Sequence, residues 1–201
     1  MDYNDTYLKS KNAWGGEPNK LLQMIIDDIP AGSNVLDLGS AQGRDSLYLA
    51  SFGHNIVAVE KSEAGYSQLV DAINENKITN IVSINKDVSE FDIEKNKYFL
   101  INLQNVLQFL SKEDSRALLR KAKDSLPING LIAVSAFTTE DPSFENSDPK
   151  IKSYFENNEL LELFSDFQII YYFEKKILDK GHASMPEPHY HGMVKIIAKK
   201  L

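Results

Sequence analysis

The chain of 201 residues contains no cysteine. Disulfides, thiolate nucleophiles and cysteine-ligated zinc are therefore excluded. It has one tryptophan, Trp14. No apolar run approaches the ~20 residues needed to span a bilayer, so no membrane partner is expected. Basic stretches are missing as well: 22 Lys and Arg are set against 29 Asp and Glu, for a net charge of -7. A nucleic-acid binder presents a basic face, so that class of partner is not expected. The opening Met1-Asp2-Tyr3-Asn4-Asp5 lacks the basic and apolar regions of a signal peptide, which leads to the expectation of a cytoplasmic protein. There is no internal repeat, low-complexity segment or linker. One domain is expected over 1–201, with an N-terminal helical cap at 1–30 and a core at 31–201. The oligomeric state cannot be read from the sequence.

What is present centres on Val35-Leu36-Asp37-Leu38-Gly39-Ser40-Ala41-Gln42-Gly43-Arg44. An apolar run ends in an acid, small residues follow at alternate positions, and an amphipathic segment opens at Arg44. This is the pattern of a strand, a tight loop and a helix, whose free N–H groups can hold an anionic group. A dinucleotide fingerprint needs glycines spaced G-x-G-x-x-G. Here those places hold Gly39, Ala41 and Arg44, so an NAD(P)-dependent oxidoreductase is the weaker alternative. The shorter spacing Gly39-x-Ala41-x-Gly43 fits better. Ala41 is expected to need an ordinary negative-φ backbone.

Strand and helix signals alternate five times along the chain. Strands are expected at about 33–38, 55–60, 80–85, 98–103 and 131–137, with helices at about 43–52, 63–77 and 111–126. The first segment, about 2–29, reads as helical, and Trp14 either folds over a ligand or anchors this helix to the core. A polar loop spans about 138–150, one or two helices fall within 151–165, and strands follow from 167 and from 191. Alternation implies a parallel sheet covered by helices on both faces. The last two strands, joined without a helix, should be antiparallel. Glu60 ends the second strand, 21 residues beyond Gly39, where a carboxylate can accept both hydroxyls of a ribose; a helix-capping acid is the other reading. Three of the four histidines fall between 182 and 191. Glu187, His189 and His191 are spaced by two and share one face of an extended chain. They serve as metal ligands, as substrate-contacting or proton-accepting groups, or as plain turn residues; no metal ligand set is assigned.

Asp37-x-Gly39-x-Ala41-x-Gly43 resembles motif I of class I S-adenosylmethionine (SAM)-dependent methyltransferases. Within that class, Asp37-Leu38-Gly39-x-x-Gln42-Gly43-Arg44-x-Ser46-Leu47-Tyr48-Leu49 and His189-Tyr190-His191-Gly192 are similar to the small tellurite-resistance methyltransferases. The resemblance implies a Rossmann-like seven-stranded sheet, order 3-2-1-4-5-7-6, with the seventh strand reversed. It implies SAM as cofactor, S-adenosylhomocysteine as product, and a small-molecule nucleophile as substrate, such as a chalcogen oxyanion or a thiol. It places the cofactor among Trp14, Asp37, Gly39, Ser40, Ala41, Gly43, Arg44, Glu60, Lys61, Asp87, Val88 and Asn105. Asp87 is either an adenine ligand or a turn residue, and Arg44 either meets the methionine carboxylate or lies exposed. His189 and His191 are the catalytic candidates. Tyr190 stands between them where that family has arginine. A SAM-binding regulatory module without catalysis is the alternative function.

Overall fold

A computed structural model describes residues 3–146, 149–182 and 185–201. Met1 and Asp2 of the expected cap, Ser147 and Asp148 of the polar loop, and Ala183 and Ser184 beside the histidines lie outside the described residues.

Seven strands form one sheet in the order β3-β2-β1-β4-β5-β7-β6. These are β1 (Asn34–Leu38), β2 (Asn55–Glu60), β3 (Ile81–Asn85), β4 (Leu100–Gln104), β5 (Leu131–Phe137), β6 (Phe167–Asp179) and β7 (His189–Lys200). The first five run parallel, and β7 is antiparallel to both β5 and β6. The order and the reversed strand are those that the family resemblance implies. The physical reason is plain in β1, β4 and β5. Their residues are almost all buried, as strands covered on both faces must be. Two apolar clusters fill the two sides of the sheet. One gathers Leu36, Leu38, Ile101, Leu103 and Val134 with Leu118 and Leu119; the other gathers Val35, Ile56, Leu100 and Ala133 with Leu22 and Leu49.

Helices α3 (Arg44–Ser51), α4 (Glu63–Glu75) and α5 (Lys112–Ser125) connect the strands. Ser62 and Ser111 cap the last two, accepting from the Gly65 and Asp114 N–H groups. The cap segment is helical only in part. It breaks into α1 (Asn4–Lys9) and α2 (Lys20–Ile25), with a turn-rich stretch around Gly15 and Gly16 between them. Asn19 caps the start of α2, its side chain accepting from the Leu21 N–H. The polar loop after β5 holds a short helix, α6 (Pro142–Glu145), capped by Asp141. Residues 151–165 hold only α7 (Glu159–Leu163).

One feature of β6 and β7 positions the candidate site. β5 pairs with β7 only from Met193 to Lys199, whereas β6 continues alongside β7 to the Asp179–His189 pair. The two strands therefore project past β5 as an arm. It lies at the end of the sheet where the parallel strands terminate, the usual side for a ligand.

Candidate active site

The loop after β1 is held from two sides. Gly39, Ala41 and Gly43 all take positive φ, at 77°, 52° and 84°. The expectation that Ala41 keeps a negative φ is thus wrong. Its N–H donates to Glu60 Oε2 at 2.8 Å, and closing that contact turns the backbone left-handed despite the methyl group. At Gly43 the requirement is steric as well. A Cβ there would sit 2.2 Å from Leu69 Cδ1, a fully buried side chain. Beneath the loop, Asp37 is 2% exposed. It accepts from Ser46 Oγ at 2.5 Å and Asn102 Nδ2 at 2.8 Å. Burial, with Asp45 close by, pushes its carboxyl up to about 6 against those two bonds. Asp37 is thus a buried brace of the loop.

Glu60 is also buried, and burial raises its carboxyl above the usual range. Its second oxygen accepts from the Ser62 N–H at 2.7 Å, so one side chain ties the loop after β1 to the start of α4. Ser40 is 7% exposed, and its hydroxyl has no hydrogen-bond partner among the described residues. An orphaned donor in a loop of small residues beside an acid is what a polar, hydroxyl-bearing cofactor would satisfy.

The cap lies over this loop. Gln42 reaches up to it, accepting from the Ala13 N–H at 2.8 Å and donating to the Ser10 carbonyl at 2.5 Å. Arg44 donates to the Trp14 carbonyl at 3.0 Å while its Nε donates to Asp45 Oδ1 at 2.9 Å. The guanidinium thus holds the cap, and the side chain is part-buried rather than exposed. Trp14 is half-buried. Its Nε1 donates to the Tyr7 hydroxyl, and its ring meets Tyr3 edge-on at 5.3 Å and His182 at 5.0 Å. Burial, and then the charge of Glu60, raise the Tyr7 hydroxyl above its ordinary value.

Along the rim, Asp87 Oδ1 accepts from the Ser89 N–H and hydroxyl, and Lys61 Nζ donates to Oδ2 at 3.4 Å. Burial opposes ionisation there, but these bonds and the Lys61 charge hold Asp87 below the ordinary carboxylate range. Val88 is buried behind it. Asn105 is exposed at the end of β4, in positive φ, and accepts from Ser135 Oγ. Ser40, Ala41, Glu60, Lys61, Asp87 and Asn105 therefore follow one sheet edge, as expected. Asp37 and Arg44 brace it from below and above.

The facing arm carries the histidines. His189 Nδ1 donates to the Glu187 carbonyl at 2.7 Å, and His191 Nδ1 to Asp141 Oδ2 at 2.8 Å. Their Nε2 atoms face each other at 2.9 Å. The His191 ring stacks on Phe137 at the end of β5, with centroids 4.7 Å apart. Burial opposes ionisation of Asp141, but the bonds from His191 and Ser143 hold its carboxyl low. Gly192 makes this contact possible. A Cβ there would lie 2.3 Å from the Asp141 N, where the chain after β5 crosses. The Gly192 N–H donates to Asp141 Oδ2 at 3.1 Å.

Asp141 escapes the sequence reading because its partner lies 50 residues away. The only local sign is Asp141-Pro142-Ser143, a helix start. Tyr3, Tyr7 and Gln42 were missed as well; the spacing of the two tyrosines by four on an amphipathic helix was the available signal.

A family model described as tellurite resistance protein TehB matches residues 22–183. A curated relative from Haemophilus influenzae, a probable SAM-dependent methyltransferase TehB, is 29% identical over 135 residues, covering 64% of this chain and 46% of its own length. The chain thus spans about half the length of the curated relatives it matches. The crystal structure of Haemophilus influenzae TehB superposes with a TM-score of 0.78 at 23% identity, over 91% of this chain and 62% of that one. A Burkholderia thailandensis 1,6-didemethyltoxoflavin-N1-methyltransferase with bound S-adenosylhomocysteine superposes with a TM-score of 0.72 at 18% identity, over 99% and 85%. With a family model covering most of its length, the chain belongs to the TehB family of class I SAM-dependent methyltransferases.

Proposed function

We propose that the chain transfers a methyl group from SAM to a small nucleophile, a chalcogen oxyanion or a thiol. The observation that carries this is the loop from Gly39 to Gly43, in which three left-handed small residues close onto the Glu60 carboxylate and leave the buried Ser40 hydroxyl without a partner. Gly39, Ser40 and Ala41 would pass close along the cofactor, Glu60 would accept its ribose hydroxyls, and Asp87 and Val88 would meet its base. When bound, SAM supplies a methyl group on a sulfonium that a nucleophile attacks in line.

The protein's own contribution is positioning. Because charge is lost as the methyl moves, a dry, close-fitting site helps, and most of the acceleration comes from orientation. Trp14, Tyr3 and Tyr7 exclude water above the loop. Lys61 and Asn105 complete the rim. On the arm, His189 and His191 face the acceptor. A nucleophile that arrives protonated passes its proton to an imidazole, and a soft anion needs none.

Calorimetry with S-adenosylhomocysteine and with NADH tests the cofactor, and methylation assays with tellurite, selenite and small thiols test the acceptor. Binding of S-adenosylhomocysteine with turnover on one of these acceptors is expected. Binding without turnover would make the chain a regulatory module, and NADH binding alone would sink the proposal.

A further inference from the structure

The histidine arm carries more than a proton acceptor. A carbonyl and a carboxylate both only accept, so the His189 and His191 hydrogens sit on Nδ1. The two Nε2 atoms face each other across 2.9 Å. This is an arrangement that a cation between or beside the nitrogens satisfies. It is also the arrangement of a metal-binding imidazole, whose other N–H is fixed by a carboxylate or carbonyl.

Two further donors converge on the same point. The strand pairing sets Asp179 opposite His189, and the turn beyond it returns His182, whose ring lies 5.1 Å from that of His189. One ligand atom from each of Asp179, His182, His189 and His191 lies within 4.8 Å of every other. Donors about 2.1 Å from a tetrahedral ion stand roughly 3.4 Å apart, so the wider pairs would close by about an ångström and the histidine pair would open slightly. Glu187, the side chain that the sequence places with the histidines, contributes its carbonyl instead.

We infer that Asp179, His182, His189 and His191 form a site for one divalent transition-metal ion of the Zn2+ class. Three imidazoles and one carboxylate suit Zn2+, Co2+ or Ni2+, whereas Mg2+ and Ca2+ favour all-oxygen sets. With the ion bound, the pair acts as ligands, and the ion's charge faces an anionic acceptor.

The test uses tag-free protein stripped with a chelator and titrated with Zn2+ against a chromophoric competitor. One equivalent should bind with a Kd of about 1 μM or tighter, undisturbed by Mg2+. Co2+ should give the intense visible bands of a tetrahedral ion. His182→Ala and His189→Ala, on the projecting arm, should each weaken binding at least about tenfold, and Asp141→Asn, which replaces the carboxylate that orients His191, by about 10- to 100-fold. Unchanged far-UV circular dichroism and melting of the metal-free variants would exclude misfolding as the cause. Failure to bind one equivalent at tens of micromolar Zn2+, or an unchanged affinity in His189→Ala, would overturn the site and leave the pair sharing a proton. Calorimetry with S-adenosylhomocysteine on the same metal-free protein reads the methyltransferase proposal separately.

Discussion

The two sides of the candidate site are built in opposite ways. The loop side is a main-chain construction. Left-handed residues, backbone N–H groups and one bridging carboxylate fix it, and its side chains are small or buried. The arm side is a side-chain construction, in which imidazoles from an extended ribbon are oriented by Asp141 and a carbonyl. Main-chain geometry suits a ligand that never varies. Side-chain geometry can be exchanged without rebuilding the fold, so on the proposed function cofactor and acceptor selectivity would divide between the two sides.

The comparison breaks most severely at Gly43. Gly43→Val adds a branched side chain at φ 84° and drives it into Leu69. The expected loss is about 3 kcal/mol or more of stability by urea unfolding, with no remaining heat of S-adenosylhomocysteine binding. Wild-type stability would mean that the loop is softer than its geometry implies.

Asp37 tests the brace beneath the loop through pH. Its proton is held more tightly in the folded chain, where the carboxyl is pushed up to about 6, than in the unfolded one. Stability is therefore greatest below the unfolded value and falls as pH rises from about 4 to about 6, by about 3 kcal/mol, and is level above. Asp37→Asn should flatten that fall in denaturant midpoints measured across the range. Glu60, also raised by burial, leaves a residual slope. An unaltered profile would assign the titration to another group.

The two sides separate cleanly in the double variant His189→Ala with His191→Ala. Turnover should drop about 100-fold while the affinity for S-adenosylhomocysteine stays put. Glu60→Gln should do the converse, weakening S-adenosylhomocysteine about tenfold, since an amide accepts at one atom only. If both variants moved both quantities together, the division of labour would be wrong.

How much of this the sequence discloses follows the same division. Strands buried on both faces write their burial into consecutive residues, so β2 reads correctly from Asn55 to Glu60. Glu60 is legible because it ends such a strand, and Asp87 because it follows the third strand by two residues. The arm is legible only as a crowd of histidines. Its order depends on the Asp179–His189 register and on Asp141 crossing at Gly192, contacts between residues far apart in the chain. The break in the cap is hidden for a similar reason. The segment from Ser10 to Asn19 is fixed by Gln42, Arg44 and Asp45 rather than by its own turn residues.

Ala41 gives the smallest expected effect and the finest probe of the loop. Local propensity favours negative φ for alanine, yet the bond from its N–H to Glu60 holds it at 52°. A left-handed residue with a Cβ costs about 1–2 kcal/mol, and glycine in its place returns about 0.5–1 kcal/mol through unfolded-chain entropy. Ala41 also packs against the cluster of Tyr7, Ala13 and Ala64, so part of the gain is given back. Ala41→Gly should therefore raise stability by no more than about 1 kcal/mol, a melting shift of about 2–4 °C at most for a chain of this size. S-adenosylhomocysteine affinity should rise by up to about fivefold, because relief of that strain raises the population of the closed loop. A lower melting temperature with tighter binding would show that the methyl holds the cap down while straining the loop. A fall in both would show that contact with the cap, rather than backbone strain, governs the position.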